Sequence, residues 1–85
     1  MPQSIRIEIY SRPGCHLCDE AKAVIDPFSR RYPLEVTVTN VDNNPDLRAT
    51  FGTEIPVVMI NGEEAFRHRV DPQSFERKLK KLWNP

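Results

Sequence analysis

At 85 residues, with twelve basic and twelve acidic side chains that cancel, the chain has material for one hydrophobic core and one domain, spanning 1–85. Hydrophobic residues at 39% and charged residues at 28% exclude a disordered polymer, and the balanced charge gives no general attraction to nucleic acid, membrane or a strongly charged partner. The start, Met1-Pro2-Gln3-Ser4-Ile5-Arg6, lacks the basic and then apolar pattern of a secretory signal, and no run is long enough to span a bilayer, so a cytoplasmic location is expected; a monomer is expected as well.

The alternation Ile5-Arg6-Ile7-Glu8-Ile9-Tyr10 predicts a first strand, stopped by the turn signal Ser11-Arg12-Pro13-Gly14. After the turn, Leu17, Ala21, Val24, Ile25 and Phe28 form one apolar face of a helix. The chain's two cysteines lie at this junction, in Cys15-His16-Leu17-Cys18. Cys15 therefore falls near the first helical position, where unpaired N–H groups and the positive end of the helix dipole favour a thiolate over a thiol. Cys18 is almost one turn on and nearer the apolar face, so it should hold its proton more tightly. Asp19 and Glu20 complement the dipole as surface charge. Pro27 leaves two readings open, a kinked helix or a separate turn after Asp26.

Leu34 to Val41 alternates again, with Leu34, Val36 and Val38 on one face, and predicts a second strand parallel to the first across the helical crossover. Asn44-Pro45 marks the start and Gly52 the stop of a short helix over Pro45 to Phe51. The apolar run Ile55 to Ile60 predicts a strand buried on both faces, and Asn61-Gly62 turns it back into an antiparallel edge strand over Glu64 to Val70. Asp71-Pro72 starts a last helix whose buried stripe is Phe75, Leu79 and Leu82, with Val70 stapled onto Phe75 across the cap. Arg77, Lys78, Lys80 and Lys81 read as its solvated side, and Trp83 as packing against it. The order β-α-β-α-β-β-α predicts an α/β fold, a mixed four-stranded sheet with helices on both faces.

In a reducing compartment a lone, closely spaced cysteine pair is a poor structural staple, which leaves catalysis or metal binding. Thiol–disulfide exchange is the favoured reading, with Cys15 as attacking thiolate and Cys18 as resolving thiol. The alternative is a zinc or iron–sulfur module: Cys-x-x-Cys is half of such a site, and a dimer would supply four sulfurs across its interface. Arg12 either stabilises the thiolate or is a solvated turn residue, and His16 either tunes Cys15 or projects into water. His68 reads as facing solvent on the fourth strand.

The stretch Tyr10-Ser11-Arg12-Pro13-Gly14-Cys15-His16-Leu17-Cys18, the Ile55-Pro56-Val57 opening of the third strand and the element order together resemble the small glutaredoxin-like proteins of the thioredoxin-fold superfamily. The resemblance implies a cis proline at Pro56 packed beside the cysteines, and main-chain binding of an extended thiol substrate by Ile55. It also gives His68 a second reading, lining the substrate groove. It implies a redox-active disulfide serving electron transport and cell redox homeostasis, with no tightly bound cofactor. Arg12, His16, Leu17, Ile55 and Pro56 are the expected substrate-binding residues. The partners it implies are a protein or small-molecule disulfide and an external thiol reductant, either a thioredoxin system or glutathione. Two departures speak against glutathione: His16 and Leu17 stand where its users carry proline and an aromatic residue, and Phe66 to Asp71 lacks their glycine pair.

Overall fold

The computed structural model describes residues 4–83. Four strands and three helices follow the expected order: β1 (Ile5–Ser11), α1 (His16–Ile25), β2 (Leu34–Asn40), α2 (Pro45–Phe51), β3 (Val57–Ile60), β4 (Glu63–Arg67) and α3 (Pro72–Leu82). The sheet order is β2-β1-β3-β4. β1 pairs parallel to β2, Ile5 opposite Leu34, and antiparallel to β3, Tyr10 opposite Val57. The β3–β4 hairpin turns through Asn61 and Gly62, whose φ angles of 51° and 84° suit Asn-Gly.

The pleat sends Ile5, Ile7 and Ile9 of β1 and Val58 and Ile60 of β3 to one face, where they pack against Ala21 and Ile25 of α1 and Phe75 and Leu79 of α3. The other face carries Tyr10, Val57 and Met59, packed with Val41 and with Leu47 and Phe51 of α2. Helices therefore cover both faces, and β1, in the middle, carries the chain to the cysteine turn.

The Pro27 alternative resolves in favour of a separate element: α1 ends at Ile25 and passes without a break into a 3₁₀ segment, Asp26–Arg30. Proline is tolerated at the start of that segment, where no intrahelical N–H is needed. Phe28 then reaches the core, edge-on to Phe75 with ring centroids 5.2 Å apart. Trp83 packs edge-on to Tyr32 at 5.6 Å.

Four expected details change. β3 starts at Val57 rather than Ile55, since Pro56, joined to Ile55 by a cis bond, has no N–H to give the ladder. β4 ends at Arg67 rather than Val70, because His68 turns into the left-handed region at φ 68°. Val38 shares a strand face with Leu34 and Val36 yet is 51% exposed, since β2 is an edge strand and its end lies beyond the helical cover. Leu82, expected in the buried stripe, is likewise 49% exposed as the last residue of α3.

Candidate active site

β1 delivers its last residue, Ser11, to a turn in which the Cys15 N–H donates to the Arg12 carbonyl at 3.3 Å. Gly14 takes φ 78°, a conformation that an L side chain resists, and this swings Cys15 into the N-cap position of α1. There the Cys18 N–H donates to Cys15 Sγ at 3.2 Å, and the Asp19 N–H donates to the Cys15 carbonyl at 3.2 Å. Cys15 thus does with sulfur what serine or aspartate does with oxygen at a helix start. The two cysteines are joined as a disulfide with Cα atoms 5.3 Å apart. Their surroundings differ: Cys15 is half-buried and Cys18 is 4% exposed beneath it.

Pro56 belongs to the same end of the sheet. It directly precedes Val57, which lies opposite Tyr10, one residue before the end of β1 and the start of the cysteine turn. Pro56 is fully buried, and its carbonyl accepts the His68 N–H at 2.8 Å. The Ile55 side chain packs with the α2 cluster, and among the described residues no turn or loop hydrogen bond reaches its N–H or C=O.

Other expected residues are placed less directly. Arg12 Nη2 meets Asp42 Oδ1 at 3.1 Å, so its charge is already partnered. His16 is exposed, with Nε2 3.5 Å from Glu20 Oε2. Leu17, 36% exposed, borders a groove between α1 and residues 68–70. His68 also lines this groove, and its Nε2 lies 2.9 Å from Glu54 Oε2. Glu54 was not marked by any motif, its only signal being its position before Ile55-Pro56; it also lies 3.6 Å from Arg67 Nη1. Arg67 in turn grips Glu64 with Nε and Nη2 at 2.6 and 2.8 Å, which holds the Glu64 carboxyl below the usual range and raises Arg67. Among the described residues no three of His, Cys, Asp and Glu gather as a metal-binding group.

Residues 6–80 match the family described as Glutaredoxin-like domain (DUF836). The chain belongs to that family. This glutaredoxin-like protein is 35% identical over 75 residues to a glutaredoxin-like protein of Dictyostelium discoideum, covering 81% of this chain and 69% of the relative. It is 32% identical over 65 residues to a thioredoxin of Methanocaldococcus jannaschii, covering 73% of this chain and 76% of the relative. A protein of Nitrosomonas europaea solved by NMR superposes with a TM-score of 0.81 at 25% identity, over 93% of this chain and 95% of that one. The architecture is the thioredoxin fold, shared with thioredoxins of solved structure. A Cys-x-x-Cys pair at disulfide distance on this fold suggests redox activity for the glutaredoxin-like protein.

Proposed function

We propose that the protein is a disulfide oxidoreductase that works through the Cys15–Cys18 dithiol. In the reduced protein the Cys15 thiolate attacks one sulfur of a substrate disulfide. The substrate S–S bond breaks, a mixed disulfide forms, and the other substrate sulfur leaves as a thiolate that takes up a proton. Cys18, once deprotonated, attacks the Cys15 sulfur, releases the second substrate thiol and closes the Cys15–Cys18 bond. Two electrons have then passed from the protein to the substrate, and an external thiol reductant returns them.

One observation carries this reading: at the mouth of α1 the Cys18 N–H points at Cys15 Sγ, 3.2 Å away, while Cys18 itself is buried within bonding reach. An aligned donor and the helix dipole both favour negative charge on the more exposed sulfur. The free main chain of Ile55 supports a substrate held in extended form beside it. For the reductant we favour a thioredoxin system over glutathione. In support, residues 66–71 carry no glycine, and within that stretch the His68 imidazole lies 2.9 Å from Glu54.

The test is reduction of insulin disulfides with dithiothreitol as electron source. The protein is expected to accelerate precipitation of the insulin B chain, and Cys15→Ser to abolish the effect. A wild-type rate equal to that of dithiothreitol alone overturns the proposal. For the reductant, the oxidised protein is offered glutathione, or thioredoxin with its reductase. Faster turnover with glutathione alone reverses the preference.

A further inference from the structure

The sheet has two edges, and only one of them is guarded. β4 is five residues long, carries Glu63, Glu64 and Arg67, and its pairing with β3 shifts register between Val58 and Met59. Brevity, charge and a bulge each hinder the addition of another strand. β2, at the opposite edge, has little such protection. It runs seven residues, Leu34-Glu35-Val36-Thr37-Val38-Thr39-Asn40, in unbroken register with β1, with one charged side chain and no proline.

The ladder to β1 decides which main-chain groups of β2 are free. The Ile5 N–H donates to the Pro33 carbonyl at 2.8 Å, and Ile5 lies opposite Leu34. In a parallel pair the main chain of alternate residues faces the neighbour, so Glu35, Thr37 and Thr39 face β1, while Val36 and Val38 turn their N–H and C=O outward. Among the described residues no turn, loop or cap hydrogen bond takes those outward groups. Val36 and Val38 also share a side-chain face, on which Val38 is 51% exposed. Val38 and Asn40 border a hollow of about 250 Å³ with Ser11, Arg12 and Pro13, so the space beside this end of the edge is open.

We infer that the β2 edge is an interface between two copies of this chain, paired antiparallel about a two-fold axis at Thr37. The strand fits itself in that register. Val36 of each copy meets Val38 of the other as a hydrogen-bonded pair built on the outward groups. Thr37 meets Thr37, Leu34 meets Asn40, and Glu35 meets Thr39. All seven residues are then paired, β-branched side chains oppose one another, and the one charged residue never faces its own copy. A shift of the register that keeps the outward groups together leaves residues at one end of each strand unpaired. Net charge adds no repulsion, since the twelve basic and twelve acidic side chains of each copy cancel. A single strand edge buries less than the roughly 1,200 Å² of a stable interface, so the dimer is weak, with a Kd on the order of 0.1 mM, and the chain is monomeric when dilute. The interface is independent of the disulfide chemistry.

Sedimentation equilibrium of the oxidised protein, from about 10 µM to about 1 mM, tests association, and the mean mass should rise from that of one chain toward two. Val38→Lys, at an exposed position, removes an apolar contact and sets two cations diagonally across the axis, so it should weaken association at least about tenfold. Cross-linking reads the register. With Cys15 and Cys18 joined to each other, Thr37→Cys and Glu35→Cys each carry one free thiol. In the inferred register the Cβ atoms at 37 lie about 4.5–5.5 Å apart across the axis, and those at 35 about 14 Å apart. Copper–phenanthroline in air accepts the two electrons as an S–S bond forms between copies, and Thr37→Cys should become covalently dimeric at least about tenfold faster than Glu35→Cys. The mass of a single chain at every concentration, association unchanged by Val38→Lys, or cross-linking no faster for Thr37→Cys than for Glu35→Cys overturns the interface.

Discussion

The Cys18 backbone N–H donates to the Cys15 sulfur across the first turn of α1, at 3.2 Å, so the buried member of the pair supports the half-buried one through its main chain. The same interaction remains available when the S–S bond opens, because it needs only that α1 keep its first turn. Cys15 should therefore titrate below the value of about 8.5 for a free cysteine, and below Cys18. Alkylation of the reduced protein over a pH series, with mass mapping of the labelled site, measures both. Equal and ordinary titration of the two thiols contradicts the assignment. Cys18→Ser should still attack substrate and should accumulate the mixed disulfide, visible as a mass adduct on Cys15.

Arg12 lies three residues before Cys15, yet its guanidinium is spent on Asp42, 3.1 Å away, with both side chains more than a third exposed. An exposed pair of this kind is worth at most about 1 kcal/mol, so Asp42→Asn should leave the unfolding midpoint almost unchanged. Its effect should appear at the thiol. With Asp42 neutral, Arg12 becomes an uncompensated cation near the N-cap sulfur, and the Cys15 alkylation curve should move to lower pH. An unmoved curve would mean that Arg12 has no electrostatic hold on Cys15.

Gly52 makes room for that same bridge. A Cβ there would meet the Arg48 carbonyl oxygen and would lie 3.3 Å from Arg12 Nη2. The backbone oxygen cannot rotate away as a side chain can, so Gly52→Ala should cost about 1–3 kcal/mol, the range for overpacking. Urea unfolding checks this. A stabilised Gly52→Ala would show that the helix end relaxes freely.

Much of the fold was legible because its signals are local. Asn44-Pro45 and Asp71-Pro72 are cap-and-proline starts, and both caps form: Asn44 Oδ1 accepts from Asp46 and Leu47 N–H, and Asp71 Oδ2 accepts from Ser74 N–H. The helix-mouth position of Cys15 was legible for the same reason. What could not be read depends on distant partners. Arg12 and Asp42 are thirty positions apart in sequence. The end of β4 is set by His68 reaching Pro56 and Glu54 across the sheet, and no residue near it marks a strand end. Alternation put Val38 on the right strand face, but periodicity cannot tell whether a helix covers that face along its whole length. Phe28 was placed on the buried face, yet the form of the chain around Pro27 is fixed by packing against Phe75 from the last helix.

The Asp71 cap has a pH signature of its own. The Ser74 N–H and hydroxyl hold the Asp71 carboxyl below its ordinary range, against a weaker opposing effect of burial and with the smallest contribution from Arg77. A carboxyl that is more acidic in the folded than in the unfolded chain releases its proton more readily on folding, so it stabilises the fold wherever the unfolded carboxyl is already ionised. That is above about pH 3.9 for aspartate. The contribution falls as pH drops through the folded value and is gone below it. Asp71→Ala should therefore lower the unfolding temperature at pH 7, by an amount on the order of a few degrees for a domain of this size. The gap between the two proteins should hold down to about pH 5 and narrow as the medium becomes more acidic. Because α3 supplies Phe75 and Leu79 to the core and starts directly after residues 68–70, loosening its first turn should also loosen the wall of the groove beside Leu17. Thermal melts of both proteins between pH 3 and 8 test the cap, and a gap that widens toward low pH would contradict it.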